Sequence, residues 1–222
     1  MSRSTSTNFT GGNSFPKADA ATDPFLRQDI QQLAAAVDGH DHTTGKGLAV
    51  TGGIVKYAEV VLGSAQASVT LPVAGSLPQT YRSVRITGQA RCDVASTGTR
   101  FGVRFNADSS AIYDYQIFQN NQSATGQDFA RDQTNAGVAS APGTSTTTGS
   151  ATAFQLLIPN YSGTTFWKEG TTASAWRGSG LNMEITYGGI DWRSTAAITS
   201  VTLVMTSGNF IAGSVFSLYL EP

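Results

Sequence analysis

The sequence predicts a mainly β protein. An antiparallel β-sandwich head over residues 55–222 is preceded by an extended arm (1–22), one short coiled-coil helix (23–39) and a His-x-His connector (40–54). Three observations predict it. The composition is polar but barely charged, 13% Asp, Glu, Lys and Arg with 24 glycines, which favours strands and turns over long surface helices. Apolar residues alternate with a period of two through most of the chain after Val55. The one stretch with helical periodicity is short and lies before it.

Residues 1–22 mix Ser, Thr, Asn and Gly with scattered apolar groups such as Phe9 and Phe15, too few to bury a core. They read as an arm ordered by a partner. Asp23 before Pro24 is a helix start, with a carboxylate to cap backbone N–H groups and proline at the first helical position, and Gly39 supplies the stop. Between them Leu26, Ile30, Leu33 and Val37 draw one apolar stripe, the pattern of a coiled-coil seam. A helix this short is marginal alone, so the stripe needs a second surface, either another chain or the protein's own domain. Ile30 and Leu33 as successive core positions nominally favour two strands, a weak preference over so few turns.

In the head, "SVRITGQARC" places Val84, Ile86, Ala90 and Cys92 on one face of a half-buried strand. "RFGVRFN", "AFQLLIP", "LNMEITY" and "VFSLYLEP" repeat the pattern, with Phe101/Val103/Phe105, Phe154/Leu156/Ile158, Leu181/Met183/Ile185 and Phe216/Leu218/Leu220 expected inward. Turns bearing Gly, Ser and Asn separate them, which argues for an antiparallel sandwich. "DQTNAGVASAPGTSTTTGSA" reads as a long loop of small polar residues.

Function classes narrow from the same residues. A formal net charge of -1 gives no footprint for phosphate backbones, so neither a nucleic-acid nor a membrane partner is expected. The N-terminal stretch has no apolar signal core and no segment is long and apolar enough to span a bilayer, so synthesis in the cytoplasm without export is expected. The lone Cys92 reads as a buried hydrophobe. No H-E-x-x-H pattern or P-loop is present, and no enzyme is expected. A carboxylate pair of the kind that flanks a glycosidic bond would have to be assembled in space from Asp108, Asp114, Glu169 or Asp191. Among the tryptophans, Trp176 is the candidate for stacking on a sugar ring, with Trp192 expected to plug the sandwich end and Trp167 to sit in its core.

Three stretches carry a family resemblance. "FNADSSAIYDYQ" (105–116) resembles an F-N-x-D turn followed by a Tyr-x-aromatic strand that recurs in tailed-bacteriophage virion proteins with a jelly-roll-like domain. "FQLLIPNY" (154–161) is similar to the I-P-x-Y strand end of the same group. Their closing G-x-F-x-x-G-S-x-F-x-L-Y hairpin is matched by Gly208, Phe210, Gly213, Ser214, Phe216, Leu218 and Tyr219, while Leu220 stands where members commonly have Gly. The resemblance implies a virion structural protein of the head-fibre, tail-fibre or spike type. It would be a homotrimer held through residues 1–22 to capsid, collar or tail proteins, with a jelly-roll-like head turned outward toward a host surface glycan. The rivals are a capsid decoration or cement protein and a glycan-binding module.

His40 and His42, the only histidines, share one side of an extended segment. Three chains around a threefold axis would supply six imidazoles, an octahedral shell for an axial iron or zinc ion, and the spacing resembles the His-x-His element of phage fibre and spike tips. The alternative is a polar connector in which Asp41 and both histidines bond nearby backbone and water.

Overall fold

The computed structural model describes residues 53–122, 124–178 and 182–222. Among them are twelve strands and no helix: β1 (Val55–Val61), β2 (Ser68–Leu71), β3 (Ser83–Ala90), β4 (Thr99–Phe105), β5 (Tyr113–Asn120), β6 (Thr125–Gln133), β7 (Ala136–Ala141), β8 (Thr152–Pro159), β9 (Lys168–Arg177), β10 (Met183–Trp192), β11 (Val201–Met205) and β12 (Val215–Glu221). The arm, the helix over 23–39 with its stripe Leu26, Ile30, Leu33 and Val37, and the connector with His40 and His42 lie outside the described residues, apart from 53 and 54.

All pairings are antiparallel. An eight-stranded sheet runs β1-β12-β3-β8-β9-β10-β5-β6, and a four-stranded sheet runs β2-β11-β4-β7. The chain passes from one sheet to the other at each connection except within the hairpin β5–β6 and the run β8–β9–β10.

The sheets meet through the alternating apolar faces. Val84 and Ile86 on β3, Leu156 and Ile158 on β8, and Phe216, Leu218 and Leu220 on β12 are all buried, as period-two alternation requires for strands with one dry face. From the smaller sheet come Leu71, Val103, Phe105, Val201 and Leu203. Aromatic edges lock the layers: Phe101 on β4 meets Phe154 on β8 at 5.0 Å between centroids and 75°, and Phe210 bridges Phe101 at 5.4 Å to Phe216 at 5.0 Å. Such edge-to-face pairs add about 0.5–1.5 kcal/mol each beyond the area they bury. Cys92 is buried and free, its thiol 3.4 Å from the Ala141 carbonyl, as expected of a small hydrophobe.

Two expectations are corrected. The stretch read as a long polar loop contains β7, whose Ala136, Val138, Ala139 and Ala141 are buried. Its residues are small because β7 lies close beneath the larger sheet: a Cβ on Gly137 would come 3.2 Å from the Tyr115 ring of β5, and 3.1 Å from the Arg100 side chain of the neighbouring β4. In β10 the phase is reversed. Met183 and Ile185 face outward and are exposed, whereas Thr186, Gly188, Ile190 and Trp192 face inward. Thr186 satisfies its hydroxyl on Ser174 at 2.6 Å, so a polar pair fills the inner face where the apolar set was expected.

The turn after β4 is built by its own side chains. Asn106 and Ala107 both take positive φ, 56° and 57°. The Asn106 amide donates to the Ala197 carbonyl at 2.8 Å and its oxygen accepts from the Thr199 N–H at 2.7 Å, which offsets the cost of that conformation. Asp108 accepts from the Ser110 N–H at 2.8 Å and the Trp192 indole at 3.1 Å. The Tyr113 hydroxyl accepts from the Phe105 N–H at 3.0 Å and donates to the Asp108 carbonyl at 3.0 Å, and burial pushes its pKa up to about 12. Tyr113→Phe leaves the buried Phe105 N–H without that acceptor and is expected to cost about 1–3 kcal/mol, read from the denaturant midpoint at unchanged slope.

Candidate functional site

Beyond β8 the larger sheet continues as β9, β10, β5 and β6, and the register of these strands sets what its outer face presents. Leu157 pairs with Thr171, Thr171 with Gly189, Gly189 with Gln116, and Gln116 with Phe129. Directly opposed residues share a face, so these five form one row across the sheet. At its centre Gly189 contributes no side chain, and a Cβ there would find nothing nearer than the Gly170 carbonyl at 3.9 Å. The gap opens into a cleft of about 920 Å³, walled by Leu157 and Pro159 on one side and by Phe129 and Gln127 on the other. That is the size of a small-molecule site.

A second row is acidic. Asp191 lies directly opposite Asp114 on β5 and Glu169 on β9, and all three line the cleft. Like charges in facing positions destabilise a sheet, so the arrangement has a cost that packing alone does not require. Asp114 is neutralised in part: one oxygen accepts from the Asp132 N–H at 2.8 Å and the other lies 3.7 Å from the Arg193 guanidinium, which also pairs with Asp132. Asp191 is not. Its Oδ1 is buried with no protein donor, and burial, then the charges of Asp114 and Glu169, raise its pKa above the usual carboxylate range against a smaller opposing effect of Arg193. Glu169 is exposed at the rim.

Apolar groups surround the carboxylates. Phe129 is 66% exposed at one end of the cleft, and the facing pair Phe118 and Tyr187 is 57% and 61% exposed on the same outer face. A smaller cleft of about 550 Å³ shares Pro159 and Glu169 with the first and is lined by Phe166 and Trp167, the latter 55% exposed. These large aromatic side chains leave apolar surface on this face that packing within the domain does not use.

Two of the three tryptophans are placed differently from expectation. Trp176, the sugar-stacking candidate, is buried on the inner face of β9 with its ring against Gly98, where a Cβ would come within 2.8 Å of it. An indole closed in this way offers no face to a sugar. Trp167, expected in the core, stands in the turn before β9 and is exposed, and Trp192 is buried as expected. Of the four carboxylates named from the sequence, Asp114, Glu169 and Asp191 come together, while Asp108 is committed to the Asn106 turn. The glycine floor and Phe129 were missed. The signal available for them is "YGGIDW", an unusual glycine pair inside an otherwise β-forming run.

No protein-family model matches the chain. A search of curated proteins also returns no match.

Because the Asp191 pKa is raised in the folded state, its carboxyl stabilises the fold when protonated, and that contribution is lost as pH rises through the folded-state value. Asp191→Asn is therefore expected to raise the melting temperature at pH 7 and to leave it unchanged near pH 3, where the native residue is also neutral. Melting curves of both proteins at the two pH values check this.

Proposed function

We propose that the chain is a non-enzymatic structural protein of a tailed-phage virion, a trimeric fibre- or spike-like component. Residues 1–22 hold it to the particle, and residues 55–222 form a jelly-roll-like head displayed for host-surface attachment. The observation that carries this reading is the strand order. With the hairpins β5–β6 and β9–β10 set aside, the remaining strands are ordered β1-β12-β3-β8 and β2-β11-β4-β7, and each follows its predecessor into the opposite sheet except β7, which pairs beside β4 in the same sheet. That is the two-sheet, eight-strand pattern of a jelly roll. The set-aside hairpins then extend one sheet and carry the outer face described above.

A fold hosts many functions, so the particle role rests on the motifs and their order. Each has a physical part in this domain. The F-N-x-D turn is the latch after β4, and the I-P-x-Y stretch ends β8 and buries Tyr161, whose hydroxyl donates to the Pro78 carbonyl. The closing pattern turns on Gly208 at φ 67°, where Asp93 accepts from the Asn209 backbone and side-chain amides at 2.8 Å each, and returns as β12 with Phe210 and Phe216 in the core.

Deletion of residues 1–22 is expected to leave a soluble protein with an unchanged melting temperature that is absent from purified particles. Quantifying it in particles by mass spectrometry tests the anchor, and normal incorporation rejects it.

Ile30→Asp with Leu33→Asp is expected to shift the sedimentation of the full chain from trimer toward monomer, because the apolar stripe supplies the association. His40→Ala with His42→Ala has the same effect only if imidazoles from three chains hold a shared ion. Near one iron, zinc or nickel per three chains by elemental analysis supports that site, with retention falling as pH drops below the ordinary imidazole pKa of about 6.5. A metal-free trimer makes 40–54 a polar connector.

A further inference from the structure

We infer that the outer cleft over Gly189 binds an uncharged oligosaccharide, with sugar hydroxyls donating to Asp191 and Glu169 and ring faces resting on Phe129 and Trp167. The inference concerns the cleft alone and stands whether or not the protein belongs to a particle.

The chemistry of the lining selects the ligand class. Carboxylates only accept hydrogen bonds, so the ligand must donate, and donate repeatedly. Three carboxylates line the larger cleft against the single cationic side chain of Arg131, which disfavours phosphate, sulfate and uronate groups. A divalent cation is a poor alternative, because Asp114 is already engaged by the Asp132 N–H and lies close to the positive Arg193. Exposed Glu169 is the acceptor a hydroxyl reaches most directly, and because Asp191 Oδ1 is enclosed, that carboxylate can serve the cleft only through its other oxygen. Apolar walls at Leu157, Pro159 and Phe129 then require an apolar surface on the same ligand. A sugar ring meets both demands, with hydroxyl donors at its edge and C–H groups on its faces.

The two clefts set the ligand's length. They share Pro159 and Glu169, so one chain of sugars can run from Phe129 across the Gly189 floor to Trp167 and Phe166. A single monosaccharide would leave one aromatic platform uncovered. The floor and the carboxylates of the larger cleft stand on paired strands, so that part of the site is preorganised and little ordering cost accompanies binding.

Gly189 gives the test its specificity. A leucine there enters the cleft and not the core, since its Cβ meets only ordinary contact distance. The full-length protein is applied to an array of immobilised neutral hexose and N-acetylhexosamine oligosaccharides printed beside sulfated and uronate-containing ones, with hits titrated calorimetrically. Expected are retention on neutral oligosaccharides, loss of detectable binding in Gly189→Leu at an unchanged melting temperature, and weakening by about tenfold in Glu169→Gln and in Trp167→Ala. Trp167 is an exposed turn residue, so the last variant decides the matter if Gly189→Leu fails to fold. The inference is overturned by a wild-type protein that retains no array glycan, by preference for the anionic glycans, by binding that needs added calcium, or by binding that neither Gly189→Leu nor Trp167→Ala changes.

Discussion

The contact of Phe101 with Phe154 across the two layers is the interaction on which the rest of the structure depends. It joins β4 to β8, and through Phe210 and Phe216 it reaches β12, so it fixes the smaller sheet against one part of the larger. A four-stranded sheet cannot cover an eight-stranded one. The covered part becomes the core, and the far strands must be stabilised by other means. On their inner face buried Ile117, Trp176, Ile190 and Trp192 are joined by polar contacts: the Ser174–Thr186 hydroxyl pair, and the Arg100–Asp128 ion pair at 2.6 Å, with the guanidinium also over the Tyr115 ring at 5.5 Å.

This division of the sheet separates stability from function. The outer face of β9, β10, β5 and β6 is not needed to seal the core, so it tolerates a glycine without a side chain, exposed aromatics and three facing carboxylates. The same strands are hydrogen-bonded along their length, with β9 and β10 paired from Met183–Arg177 to Trp192–Lys168. A surface of this kind is rigid but free to diverge in chemistry, which is compatible with the proposed displayed head.

How much of this was legible in the sequence follows from which faces are dry. β3, β4, β8 and β12 are each apolar on one face and covered on that face, so their alternation reads correctly from residue types such as Val84/Ile86 and Phe154/Leu156/Ile158. β10 misleads because its apolar residues Met183 and Ile185 face outward while a threonine and a glycine face in, and a pattern of alternation does not say which face is covered. β7 misleads because close packing demanded residues too small to look like a strand. The acidic row could be named only as candidates, because Asp114, Glu169 and Asp191 are far apart in sequence and only strand register makes them neighbours. Trp176 and Trp167 exchanged roles because small neighbours in sequence resemble exposure, whereas here Gly98 is small so that the Trp176 ring can lie against it.

The central claim is that this domain is the displayed head of a particle. Electron cryomicroscopy of purified tailed particles from cells that carry this sequence, labelled with antibody fragments raised against the β9–β10–β5–β6 face, tests it most directly. The account predicts threefold-related labels on projections that leave the particle surface, with the labelled face turned outward. Particles that bind no label and contain no trace of the chain would contradict it.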